Sequence, residues 1–287
     1  MMADARVSIP GRRARPTTGR GLAVSIEVAK DGGITTITIN RPERRNALDM
    51  EHFGLLAKAW INFRDDPGAR VAIITGTGNS FCVGADLKSF VPTVTENIEA
   101  LAKGESDIPA DAGLIAVLRE FELWKPVIAA VNGICTAGGM EMLLGTDLRV
   151  ASTDASFGIA EPKRGLFPGG GTTVRLPRQI PFPWAMEILL TAEQVDPQTA
   201  LRMGLVNTVV DPGELMKTAR AYAERILVNA PLAIQAVKRS VLTGLRLNLK
   251  EAFEQELALA AEVFMTEDAK EGPRAFAEKR KPVWQGR

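Results

Sequence analysis

The sequence predicts an α/β fold. Short β-branched runs alternate with stretches whose apolar residues fall at helical spacing. Gly, Asp and Asn clusters punctuate the alternation. From Pro212 onward the pattern turns wholly helical. In chain order, "LAVSIEVAKDGGITTITIN" holds two strands, Val24–Val28 and Ile34–Ile39, joined at Asp31-Gly32-Gly33 as a hairpin. Leu48, Phe53, Leu56, Ala59 and Trp60 share one helical face. "VAIITG" gives a buried strand at Val71–Thr75, "PVIAAVNG" another at Val127–Val131, and "DLRVAS" a third near Leu148–Ala151. A helix is expected after Gly138. The polar stretch Phe90 to Gly113 lacks periodicity and reads as a mobile loop with a little helix, near the substrate.

Three regions are expected: a disordered tail over 1–21, a core with the functional site over 22–211, and a helical region over 212–287. The Arg- and Pro-rich start has no apolar run and is not a secretory signal. It reads as a tail rather than a transit peptide, which leaves the cytoplasm as the expected location.

Composition excludes several classes. Lys and Arg total 35 against 34 Asp and Glu, which gives no electrostatic case for nucleic acid or a membrane surface as partner. No apolar run approaches the roughly 18 residues that span a bilayer. Cys82, Cys135 and His52 are the full set of Cys and His, so no metal site is expected. "GTGNSF" ends in Phe where a dinucleotide-binding loop needs Gly, and "GGGTTVR" lacks the Lys of a phosphate loop.

One short stretch resists a structural reading. In "TAGGMEMLLG" the acid Glu141 sits among Met140, Met142, Leu143 and Leu144, just past two glycines. A buried acid there is either paired or reactive. Two further stretches accompany it: "FCVGADLKSF", and "SFGIAEPKRGLFPGGGTTVRLPR" with a second acid, Glu161. With "NRPERRNAL", "GLVNTVV" and "AFAEKRKPVW", in this order, they resemble the crotonase, or enoyl-CoA hydratase/isomerase, superfamily over about Leu22 to Trp284.

That resemblance implies a crotonase-like spiral of ββα units with a helical C-terminal region that assembles into a trimer or a hexamer of two trimers. It implies an acyl-CoA thioester substrate and no cofactor, coenzyme A being part of the substrate. The N–H groups of Ala85 and Gly138 would hold the thioester oxygen as it gains charge. Glu141 would position and deprotonate a water, Glu161 would protonate C-2, and the Gly169 N–H would help to hold the water. Coenzyme A would lie along Arg45, Ala47, Val83, Gly84, Asp86, Leu87, Lys88, Gly139 and Lys279, with the Val83 carbonyl on the adenine. Arg44 and Arg280 are further cations for its phosphates, and Phe276 lies in a tail that would cover a neighbour's site. Asp86 is expected to brace its loop rather than react.

Retention of both acids favours hydration of a 2-enoyl-CoA. An isomerase or dehydratase of the same family, and a non-catalytic acyl-CoA-binding subunit, remain the alternatives. Ile159-Ala160 before the second acid, and Pro162-Lys163-Arg164 after it, depart from the usual short-chain pattern, so acyl specificity stays open.

Overall fold

The structure, a computed structural model, describes residues 25–96 and 110–287. The tail expected over 1–21 lies outside the described residues, as does the middle of the expected 90–113 loop. Strands β1 (Ile26–Asp31) and β2 (Ile34–Ile39) form the antiparallel hairpin, turning at Gly32 with φ 58°. The first strand starts and ends later than its apolar residues suggest. Only Ile26 of β1 is buried, so this edge strand carries little hydrophobic signal. Helix α1 (Met50–Asp65) follows, with Asp49 capping it by accepting from the His52 N–H at 3.1 Å.

The centre of the molecule repeats one device. Strand β3 (Val71–Gly76) turns tightly into β4 (Ser80–Cys82), β5 (Val127–Val131) into β6 (Ile134–Thr136), and β7 (Leu148–Ser152) into β8 (Ser156–Gly158). The first strand of each pair joins a large sheet ordered β1-β2-β3-β5-β7-β9, where β9 is Thr208–Val210. The second joins a small sheet ordered β4-β6-β8. Apart from the β1–β2 hairpin, all these neighbours run parallel. Each repeat thus steps from one sheet to the next, which makes the expected spiral. The small sheet was not legible in the sequence, because strands of three residues are too short to show a period.

The large sheet is covered on both faces. Strand β3 sends Ala72 and Ile74 into the cluster that holds Leu56, Trp60 and Phe63 of α1. It sends Val71 and Ile73 the other way, against Leu215, Ala219 and Ala223 of α8 (Leu215–Leu227). Burial on both faces explains why "VAIITG" is continuously apolar rather than alternating.

Short helices α2 (Phe90–Glu96) and α3 (Ala110–Ala116) flank the undescribed segment, in the stretch expected to be a loop with a little helix. Helix α4 (Gly138–Leu143) follows β6 directly. After β8 come α5 (Thr172–Gln179), α6 (Phe182–Thr191) and α7 (Pro197–Arg202). The chain ends in α9 (Pro231–Gly244), α10 (Leu249–Phe264) and α11 (Glu267–Ala277). These last helices leave Val237, Val241, Phe253, Leu257 and Phe264 exposed, as is Leu245 just past α9. Among the described residues no helix is long and apolar enough to cross a membrane.

Candidate active site

The carboxyl ends of the three small-sheet strands supply the site. Past β4 comes Val83-Gly84-Ala85, past β6 comes Ala137-Gly138, and past β8 comes Ile159-Ala160-Glu161. Parallel pairing keeps these ends on one side, the usual place for ligands in such sheets.

Two amides meet there. Leu48 and Ala85 form a parallel bridge in which the Leu48 N–H donates to the Gly84 carbonyl and the Asp86 N–H donates to the Leu48 carbonyl, each at 2.8 Å. The Ala85 N–H takes no part in that pair. Gly138 opens α4, and first-turn N–H groups have no partner within a helix. The two backbones touch so closely that a Cβ on Gly84 would lie 2.5 Å from the Gly138 nitrogen. A Cβ on Gly138 would lie 3.7 Å from the Ala85 nitrogen. Gly84 has φ 85°, a left-handed conformation that also calls for glycine. Ala137 is held at φ 52° and ψ −127°, a sparsely populated backbone conformation just before the helix.

Glu141 is buried one turn into α4, with 8% of its surface exposed. Its Oε1 accepts the Gly170 N–H. Its Oε2 takes no hydrogen bond from the described residues. Burial pushes this carboxyl from an ordinary 4.5 up to about 7. The Gly170 N–H opposes that rise, the nearby Glu161 carboxylate adds to it, and Arg119 and Arg175 oppose it. A Cβ on Gly170 would lie 2.2 Å from Glu141 Oε2, so the acid occupies the space that any side chain there would need. Glu161 is partly exposed, and its Oε2 accepts the Ala160 N–H at 2.8 Å. One deeply buried and one more open carboxyl therefore lie near enough for the charge of Glu161 to act on Glu141.

Below them lie Cys82 and Cys135, paired in register on β4 and β6, both free and buried. Burial raises the Cys82 thiol to about 12, so it stays protonated. Among the described residues no group of three or more His, Cys, Asp or Glu converges as metal ligands.

The residues expected along coenzyme A fall into two groups. Ala47, Val83, Gly84, Asp86, Leu87 and Lys88 lie on the two segments joined by the Leu48–Ala85 bridge, and Arg45 enters the first at φ 52°. Asp86 Oδ1 accepts the Lys88 N–H at 2.9 Å and so braces the turn. Lys88 and Arg45 are exposed. Gly139 packs on β4, where a Cβ would lie 2.1 Å from the Cys82 carbonyl oxygen. Lys279 and Phe276 sit at the end of α11, exposed, and no hydrogen bond or ion pair among the described residues joins Lys279 to the others. Arg280 is engaged elsewhere, pairing with Glu271 at 2.5 Å and with Glu278 at 2.6 Å.

Three residues near Glu141 were missed in the sequence. The N–H on Glu141 is that of Gly170, where the Gly169 N–H was expected to serve the water. Arg119 donates to the Gly169 carbonyl across 50 positions of chain. Arg175 donates to the Glu141 carbonyl at 3.3 Å from α5. A triple glycine marks the loop without saying which amide points inward, and two arginines so distant in sequence carry no local signal.

Comparison with known proteins is consistent along the chain. The family model described as enoyl-CoA hydratase/isomerase matches residues 29–287. Enoyl-CoA hydratase EchA19 of Mycobacterium tuberculosis is 42% identical, over 91% of this chain and 96% of that protein. The (E)-benzylidenesuccinyl-CoA hydratase of Thauera aromatica is 41% identical, over 92% of this chain and all (100%) of that one. Among solved structures, a Mycobacterium tuberculosis enoyl-CoA hydratase superposes with a TM-score of 0.82 at 41% identity, covering 92% of this chain and 99% of that one.

Proposed function

The chain belongs to the enoyl-CoA hydratase/isomerase family, and on that premise we propose that it is a hydro-lyase that adds water reversibly and syn across a 2-enoyl-CoA thioester, giving a 3-hydroxyacyl-CoA. The thioester carbonyl enters between the Ala85 and Gly138 amides. As the water oxygen bonds to C-3, negative charge builds on the thioester oxygen, and the amides meet it without reorganising. The α4 N-terminus adds a favourable dipole. Glu141 takes a proton from the water while Glu161 gives one to C-2, and the proton returns between the acids before the next turnover. No cofactor enters beyond the coenzyme A of the substrate.

The observation that carries this reading is the buried Glu141 carboxyl on the helix that Gly138 opens, with one oxygen held and the other without a hydrogen bond among the described residues. Both acids support hydration over isomerisation. We assign self-association, as a trimer or a hexamer of two trimers, to the helical region 212–287, where the exposed apolar residues of α9 and α10 support it. The Lys279 and Phe276 tail would then reach a neighbour's site. The proposed location is the cytoplasm.

The test is turnover of crotonyl-CoA, and of bulkier enoyl-CoA esters, by wild type, Glu141→Gln and Glu161→Gln in isotopically labelled water. Each substitution should lower kcat by about a hundredfold or more with ester binding kept. Wild-type rates in either variant remove that acid from the mechanism. A double-bond shift without label at C-3 makes the enzyme an isomerase. Ester binding without turnover by wild type makes it a binding subunit.

A further inference from the structure

The peptide that joins Gly169 to Gly170 is held at both ends by charged side chains. Its carbonyl accepts from Arg119 Nη1, and its N–H donates to Glu141 Oε1. The dipole of one peptide therefore lies between a guanidinium and a carboxylate, with its positive end toward the carboxylate. Both charges favour that alignment. The residue types do not select it, because Gly169, Gly170 and Gly171 follow one another and a glycine run can flip a peptide at little intrinsic cost. With the peptide flipped, a carbonyl oxygen would face the Glu141 carboxylate instead of an N–H.

Arg119 is itself firmly placed. Helix α3 ends in a paired C-cap: the Leu118 N–H donates to the Ile115 carbonyl at 2.9 Å, and the Arg119 N–H donates to the Leu114 carbonyl at 2.8 Å. This cap needs a left-handed residue, usually glycine, yet Leu118 fills it at φ 56°. Arg175 secures the turn by donating to the Val117 and Leu118 carbonyls. Glu120, also left-handed at φ 53°, holds Arg119 Nε at 3.1 Å and Nη2 at 3.0 Å, leaving Nη1 for Gly169.

We propose that Arg119 is a positioning residue for the reaction, locking the Gly169–Gly170 peptide so that its N–H is aimed at the Glu141 carboxylate. The proposal rests on the reading of Glu141 as the base. The charged and titratable groups that act on Glu141 are Glu161 after β8, Arg119 after α3 and Arg175 on α5, and Glu141 in turn acts on the Cys82 thiol of β4. Removal of Arg119 takes away both an opposing positive charge and the fixed N–H, and each loss favours the neutral acid.

The experiment compares kcat and KM across pH for Arg119→Met, Arg119→Lys and Glu141→Gln, with melting curves for each. Arg119→Met should lower kcat by about ten- to a hundredfold, with KM within about twofold. Its acid limb should move to higher pH. Arg119→Lys keeps the charge and should fall between it and wild type. Millimolar guanidinium should partly restore Arg119→Met, whereas equal sodium chloride should not. If Glu141→Gln is inactive while Arg119→Met keeps the wild-type kcat and acid limb, the proposal falls and the base assignment stands. If Glu141→Gln is fully active, both fall. Should Arg119→Met fail to fold, Arg119→Lys decides, and a wild-type kcat with an unmoved limb in that variant, at reduced melting temperature, means a structural role only.

Discussion

Two buried charges near the same sheets are treated in opposite ways. Arg149 on β7 is surrounded by acceptors: Nη1 donates to the Leu205 carbonyl at 3.1 Å, and Nη2 donates to Gln179 Oε1 at 2.7 Å and to the Thr146 carbonyl at 3.2 Å. Glu141 on α4 has one N–H on one oxygen. Burial acts on both, lowering the guanidinium to about 10 and raising the carboxyl to about 7. The arginine still stays charged at neutral pH, whereas the acid is brought to the point where it gains and loses a proton readily. Full satisfaction makes a structural staple. Partial satisfaction leaves a group that can react.

Arg149→Met should break the first half of this contrast and have the largest effect. It leaves several buried acceptors without donors, at a cost of about 3 kcal/mol or more in stability. Urea unfolding should show it, and any folded fraction should retain near-normal KM. A loss of activity with unchanged stability would mean that Arg149 is not a staple.

Glu141→Gln should sharpen the second half, through stability rather than rate. The carboxyl is neutral in the fold up to about pH 7, whereas in the unfolded chain it ionises near 4.5. Stability attributable to this group is therefore fully present below about 4.5, is lost as pH rises toward 7, and stays lost above it. A shift of this size corresponds to at most about 3 kcal/mol. Glu141→Gln should match wild type near pH 4 and exceed it at pH 8, while losing activity at both. Equal stability at pH 8 would show that the acid is not strained by burial.

What the sequence reveals follows the same division. Strand β2, α1, β3, β5 and β7 are legible because their apolar residues repeat over five or more positions. Glu141 is legible because an acid among methionines and leucines contradicts its surroundings. The small sheet is not, since its strands are three residues long and their partners come from other repeats. Nor is Arg119, an ordinary surface-type residue until the fold brings the Gly169 carbonyl to it. Arg149 is equally silent, because its acceptors come from segments up to 56 positions away. Local contradiction can be read from sequence, whereas long-range satisfaction cannot.

The smallest expected effect tests whether the contrast depends on space as well as hydrogen bonds. A Cβ on Gly139 would meet the Cys82 carbonyl oxygen at 2.1 Å, which is backbone and cannot yield. A Cβ on Gly170 would meet Glu141 Oε2 at 2.2 Å, the far end of a flexible side chain. Gly170→Ala should therefore fold normally and displace the carboxylate by roughly an ångström. The N–H is retained, so the charge balance changes little and the cost is one of aim. A fall of about tenfold in kcat follows, with KM and melting temperature near wild type. Gly139→Ala should instead lower the melting temperature, because the collision is with a strand. If Gly170→Ala keeps full kcat, the carboxylate has more freedom than one hydrogen bond and a filled cavity allow, and its position is not what sets the rate.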